Sequence, residues 1–178
     1  MLAYLFVLLA IASRFLPHPD GWVQFTPLGA ALLYFGARVP RKRMWIPLAA
    51  LIATDAYMTK AIYGYPLKAD HLVTWAWYAG VILLGGAVLG KHISPLRVVI
   101  GSLTASIAFF LMSNFAVWVA WKMYPRTLAG LATAYAAAIP FFRNQTLADL
   151  LAAGALFTVG ALVERHEKKP TLGRIRAA

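Results

Sequence analysis

Cysteine and acidic residues are scarce in this sequence. Its 178 residues include no cysteine and only six aspartates and glutamates. The absence of cysteine excludes disulfide bonds, thiolate catalysis and thiolate metal sites. Charged residues make up 13% of the chain, whereas apolar residues make up 61%. A soluble domain of this size needs more polar surface than that, so the composition indicates an integral membrane protein.

Catalytic sequence motifs are also missing. The chain has no Walker A loop, no HExxH or GxSxG motif and no glycine-rich dinucleotide turn. Asp55 and Asp149 lie far apart in the sequence and can pair only through folding, which is too weak a pattern to indicate hydrolase chemistry. We therefore predict that the protein is not an enzyme and has no resident cofactor.

The net charge of +11 comes from basic residues at the ends of apolar segments. No basic stripe is interleaved with aromatic residues on a polar face, so we predict no nucleic-acid partner. Cations in these positions are typical of topology signals and of contacts with anionic lipid headgroups. The predicted partner is therefore the lipid bilayer.

Apolar stretches near the length of a bilayer span, which takes about 20 residues, recur along the chain. They predict an all-α integral membrane protein with six transmembrane helices in one domain, residues 1–163, and a basic cytoplasmic tail, residues 164–178. Residues 17–24 are predicted to form a turn or re-entrant loop, and residues 125–138 a short interfacial helix. The six helices are predicted near residues 2–15, 26–38, 44–62, 71–90, 96–124 and 141–163.

The positive-inside rule gives an orientation. With the N-terminus in the cytoplasm, eleven cations lie inside and six outside, and the reverse orientation places the eleven outside. We therefore predict a multi-pass protein of the bacterial inner membrane with both termini in the cytoplasm.

Polar residues within the predicted helices fall in the outer half of the membrane. Ionisable groups are costly in lipid and usually face a partner or a cavity. One interpretation is a polar pocket open to the outside. The other is a set of structural ion pairs, such as Asp55 with Arg14 or Asp149 with Arg143. The candidate pocket residues are Arg14, His18, Thr26, Asp55, His71, Asn114, Arg143, Asn144, Thr146 and Asp149.

Aromatic and small residues add two further expectations. Trp75, Trp77 and Tyr78 near the outer end of the fourth helix fit either an interfacial belt or the wall of a pocket. Gly86 and Gly90 on the same helix form a small-xxx-small pair, which predicts close approach of another helix.

Four segments carry a family resemblance. They begin at Arg14 (RFLPHP), Phe25 (FTPLGA), Met112 (MSNF) and Ala138 (AIPFFRNQTLAD). In order and spacing they resemble the substrate-binding S components of energy-coupling factor vitamin transporters, and among these the solitary cobalamin transporters of the BtuM type. The resemblance implies an S-component-like bundle of six helices with a vitamin pocket on the outer side.

The same resemblance implies uptake of a vitamin, with cobalamin or a related corrinoid as the transported ligand. BtuM-type proteins bind the cobalt through a cysteine, which this chain lacks. His71 is then the candidate axial cobalt ligand, and His18 the second. The resemblance implies either an energy-coupling membrane and ATPase module as partner or a protein that works alone. The first helix lacks the AxxxA pattern used for docking on such a module.

Two other functions fit the residues. An accessory or structural membrane protein without a transported substrate would use its buried charges only to stabilise helix packing. A membrane enzyme acting on a lipid would use Asp55 and Asp149 with a metal, and no aspartate-rich motif supports it.

Overall fold

A computed structural model describes residues 1–16 and 26–168 of the chain, and every regular element in these ranges is helical. The helices are α1 (Leu2–Ser13), α2 (Leu28–Arg38), α3 (Trp45–Tyr57), α4 (Ala69–Leu89), α5 (Pro95–Ala120) and α6 (Leu128–Lys168). A 3-10 turn, Arg41–Arg43, precedes α3, and a π-helical segment, Met58–Ile62, follows it. The predicted all-α class is confirmed for the described residues.

Three of the helices, α4, α5 and α6, are long and apolar enough to cross a membrane. By contrast, α1 has 12 residues and α2 has 11. At 1.5 Å per residue these two helices are only about 16–18 Å long, roughly half of a 30 Å hydrocarbon core. The described residues therefore combine three helices long enough to span a membrane with two short ones.

The predicted break before the last helix is wrong. Instead of an interfacial helix and a separate span from residue 141, α6 runs without interruption through Pro140 and ends at Lys168, beyond the predicted tail boundary. The segment from Leu128 is rich in alanine and leucine, which favour helix, and the Thr127 hydroxyl accepts a hydrogen bond from the Gly130 N–H at 3.1 Å. Neighbouring groups in membrane proteins often make proline tolerable within a helix. Residues 169–178 lie outside the described ranges.

Helix α2 forms the centre of the bundle. Its residues from Leu28 to Phe35 are all buried, and it packs against α1, α4, α5 and α6. Edge-to-face ring pairs fix its sides: Tyr34 lies 5.0 Å from Phe6 and 4.9 Å from Phe157 between ring centroids. A helix that is apolar on every side in this way belongs to the interior.

Two glycines set the distance between α2 and α4. A Cβ atom at Gly36 would overlap the Ile82 carbonyl, and one at Gly85 would overlap the Leu33 carbonyl. Only glycine permits this backbone-to-backbone contact, which is typical of membrane helix pairs.

The outward faces of the long helices are apolar. Exposed residues on these faces include Leu96, Ile107, Leu111, Phe115 and Leu151. An apolar surface of this extent indicates lipid rather than water as the surrounding medium.

Candidate functional site

A cavity of about 440 Å³ lies where α1 ends, near Arg14, and where α2 begins, near Leu28. The residue that follows α1 and the first residues of α2 form its floor, and the π-helical segment, α4, α5 and α6 form its walls. Among the described residues, the polar ones that line it are Arg14, Thr26, Tyr63, Thr74, Tyr78, Gln145 and Asp149, and the others are Leu28, Gly29, Met58, Trp77 and Phe109.

One side of the floor is an ion pair between α1 and α3. The Arg14 guanidinium lies 2.6 Å from Asp55 Oδ1, and the Asp55 residue is only 5% exposed. Trp75 Nε1 and the Tyr78 hydroxyl, both from α4, each donate a hydrogen bond of 3.0 Å to Asp55 Oδ2. This cluster therefore joins the end of α1 to α3 and α4 and leaves Arg14 facing the cavity.

The other side of the floor is a carboxylate without a cation. Asp149 of α6 is 1% exposed and accepts hydrogen bonds from the Ser106 hydroxyl at 2.9 Å and the Ala30 N–H at 3.3 Å. None of the ion pairs among the described residues includes Asp149. The first turn of a helix has free N–H groups and a partial positive charge, so α2 supplies the electrostatic compensation.

Glycine makes this contact possible. A Cβ atom at Gly29 would lie 2.6 Å from Asp149 Oδ1, which is closer than real Cβ atoms approach an oxygen. Asp149 thus caps a helix that is distant in sequence, a role that its position on α6 does not reveal.

The structure brings four of the predicted site residues together. Arg14, Thr26 and Asp149 line the cavity, and Asp55 lies directly behind Arg14 and Tyr78. The predicted pairing of Asp55 with Arg14 is confirmed. The alternative pairing of Asp149 with Arg143 is wrong, because Arg143 is exposed and Asp149 binds Ser106 and Ala30 instead.

Five other predicted residues lie outside the lining: His71, Asn114, Arg143, Asn144 and Thr146. The Asn114 amide donates to the Phe110 carbonyl of its own helix at 2.8 Å. The residue His18 lies outside the described ranges.

His71 is engaged by its neighbours at the start of α4. Its Nε2 lies 3.1 Å from the Thr59 hydroxyl, and its Nδ1 lies 3.3 Å from Asp70 Oδ1 and 3.4 Å from the Lys68 nitrogen. A metal bound to either nitrogen would displace one of these contacts. The described residues contain no group of three or more histidine, aspartate or glutamate side chains placed to hold a metal ion.

Several lining residues were not singled out in the sequence. Gln145 precedes Asp149 by one helical turn, and the i, i+4 spacing that puts both on one face is a signal that could have identified it. Trp77 and Tyr78, by contrast, were expected either in an interfacial belt or in a pocket wall. Both are buried and line the cavity, so they belong to its wall. Phe109 carried no sequence signal, because nothing distinguishes it from its apolar neighbours.

No curated protein and no solved structure matches this chain. A family model matches residues 1–172, nearly the entire sequence. The chain therefore belongs to the family of unknown function DUF6580.

Proposed function

We propose that this protein is a substrate-binding membrane transporter that takes up a vitamin-like small molecule through the cavity above α1 and α2. The observation that supports the proposal best is the composition of this cavity. A volume of about 440 Å³ with a few polar groups among aromatic walls is typical of small-molecule sites. A bundle held together only by packing has no need of such a space.

The lining defines the ligand chemistry. Arg14 uses part of its guanidinium on Asp55 and has further N–H groups for an acceptor on the ligand. Gln145 and Thr26 offer hydrogen bonds, and Trp77 and Phe109 offer flat apolar faces. The proposed ligand is a flat, partly polar molecule with at least one hydrogen-bond acceptor near Arg14.

Cobalamin is the largest ligand within this proposal. A corrinoid is several times larger than the drug-sized molecules that cavities of this volume hold, so its binding requires the bundle to open. If cobalt is ligated, His71 is the proposed axial ligand, at the expense of its contact with Thr59 or Asp70. A smaller heteroaromatic vitamin fits the existing space without such a change.

The direct test is equilibrium binding by the protein purified in detergent, with a panel of water-soluble vitamins that includes cobalamin. Bound cobalamin would co-elute as a red chromophore in size exclusion. Thr74→Phe fills the cavity from α4, whereas Ala76→Phe adds the same ring at an exposed position two residues along. We expect Thr74→Phe to weaken binding about tenfold or more, equivalent to ~1.4 kcal/mol, and Ala76→Phe to leave it unchanged.

The same pair of variants serves in cells. Wild-type protein should rescue vitamin-limited growth of a strain that lacks its own importer, and Thr74→Phe should fail to do so at equal abundance. No binding to any vitamin, together with no rescue, would contradict the proposal. His71→Ala should abolish cobalamin binding alone if the axial-ligand assignment is right.

The proposal places the protein in the bacterial inner membrane with both termini in the cytoplasm and the cavity facing outward. Because the chain has no cysteine, single cysteines are unambiguous reporters. Lys42→Cys and Lys122→Cys lie at opposite ends of the bundle and are exposed. An impermeant thiol reagent should label position 122 in intact spheroplasts and position 42 only after lysis.

Whether an energy-coupling membrane and ATPase module takes part is a separate element of the proposal. Growth rescue in a host that lacks all such modules would establish a solitary transporter.

The second candidate function is an accessory membrane protein without a transported substrate. It is favoured by the internal hydrogen bonds of Asp55 and Asp149, since both carboxylates are satisfied by the protein itself. In that case Thr74→Phe should increase thermal stability by filling empty space and should leave every cellular phenotype intact.

A further inference from the structure

A second space lies at the opposite end of the bundle from the cavity. It is a groove of about 650 Å³ between the C-terminal ends of α2 and α4. We call it the basic groove. Its floor consists of small and apolar residues of both helices, and its rim contains Arg38 and Arg41.

The floor of the basic groove is open because side chains are missing there. Gly86, Ala87 and Gly90 line it and are exposed. Gly86 also approaches α2 closely, because a Cβ atom there would lie 3.2 Å from the Gly36 carbonyl oxygen, whereas Gly90 meets no other helix. From Ile82 to Gly90 the groove follows α4 for about 12 Å. This is an apolar channel that runs along a helix from its end toward the middle of the bundle.

The rim of the basic groove is strongly cationic. Arg38 pairs with Glu164 at 2.8 Å, whereas Arg41 is exposed and takes part in no ion pair among the described residues. Lys42 and Arg43 complete the same 3-10 turn and are also exposed. Positive charge is therefore concentrated at the end of the groove where the membrane helices stop.

The geometry points to an anionic phospholipid as the occupant of the basic groove, with an acyl chain along Gly86 and Gly90 and its phosphate at Arg41. The charge complements a phosphate, and the apolar strip complements a hydrocarbon chain that lies parallel to the helices. A soluble anion would match the rim and leave the strip exposed. This inference does not depend on the outer cavity or on its ligand.

Native mass spectrometry of the detergent-solubilised protein tests it. Phosphatidylglycerol and phosphatidylcholine with identical acyl chains are added at equal concentrations. We expect one phosphatidylglycerol molecule to bind preferentially. Arg41→Gln should weaken this binding about fivefold, the effect of removing one cation near an anionic lipid. Arg43→Gln removes the same charge from the same turn but not from the groove, and should change binding by less than about twofold.

The apolar half of the site has its own variant. Ala87→Phe places a ring in the groove from an exposed helical position and should remove the bound lipid. Equal losses from Arg41→Gln and Arg43→Gln would overturn the inference in favour of a diffuse basic surface. Equal binding of the two lipids would also overturn it. So would the finding that the protein forms a lipid-free dimer and that Ala87→Phe dissociates this dimer.

Discussion

Asp55 and Asp149 are both buried carboxylates beside one cavity, yet they are stabilised in different ways. The Asp55 carboxylate lies 2.6 Å from the Arg14 guanidinium and accepts hydrogen bonds from the Trp75 indole N–H and the Tyr78 hydroxyl. Asp149 has a hydroxyl and the backbone N–H groups at the start of α2. The comparison shows that a helix terminus, positioned by a short helix, can take the place of a basic side chain inside a membrane bundle.

The largest effect should follow removal of Asp55. Asp55→Ala leaves Arg14 as an unpaired charge in a largely buried position, and we expect a loss of about 3 to 5 kcal/mol in the free energy of unfolding. Titration with sodium dodecyl sulfate in mixed micelles measures it. The double variant Arg14→Met with Asp55→Leu should recover most of the loss, because it removes both charges. If Asp55→Ala were no worse than Asp149→Ala, the ion pair would have no special role.

Removal of Asp149 should have a smaller effect, since no opposite charge is left behind. Asp149→Ala withdraws the acceptor of the Ser106 and Ala30 hydrogen bonds, and we expect a loss of about 2 kcal/mol. Asp149→Asn retains an oxygen acceptor and should lose about half as much. A loss from Asp149→Asn that equals that of alanine would show that the charge, rather than the hydrogen bonds, stabilises α2.

Gly29→Ala tests the contact between α2 and Asp149 directly. The added Cβ would push the carboxylate out of its hydrogen bonds, with an expected loss of about 1 kcal/mol. In an Asp149→Ala background the clash disappears, so a double-mutant cycle should show the penalty vanish. A penalty that persists there would come from α2 itself.

The smallest effect is expected for an ion pair outside the cavity. Arg38 and Glu164 lie 2.8 Å apart at side-chain exposures of 32% and 40%. Glu164→Gln should change the free energy of unfolding by about 0.5 kcal/mol or less, because solvent screens exposed pairs. It is also the acid-to-amide control for Asp149→Asn.

The sequence could predict the depth of the polar site in the membrane but not which of its side chains pair with one another. Depth along apolar helices placed Arg14, Asp55 and Asp149 in one layer, because cost in lipid restricts where such groups can lie. The same argument also included Asn114, Arg143, Asn144 and Thr146, which do not line the cavity. Which side chains pair depends on the direction in which each one projects from its helix axis. Arg143 and Asp149 share a helix and lie about 120° apart on it, so proximity in sequence was misleading.

The fold shows a similar division. The start of α2 near Thr26–Pro27 could be predicted from proline chemistry, and the observed helix begins at Leu28. The predicted start of the last helix at residue 141 was wrong, because the surrounding residues keep α6 helical through Pro140. The small residues of α4 indicated close packing, which Gly86 confirms, but only the structure shows that Gly85 meets α2 more closely still and that Gly90 meets no other helix.

The glycine contacts of α2 with α4 limit how this molecule can change shape. Because the two backbones touch at Gly36 and Gly85 with no side-chain layer between them, we expect the two helices to move together. If the protein transports a molecule as proposed, that molecule would reach the far side by a rearrangement of α1 and α3, or of α5 and α6, around that pair. Crosslinks within the pair should then leave the proposed transport intact, whereas crosslinks from the pair to the surrounding helices should stop it.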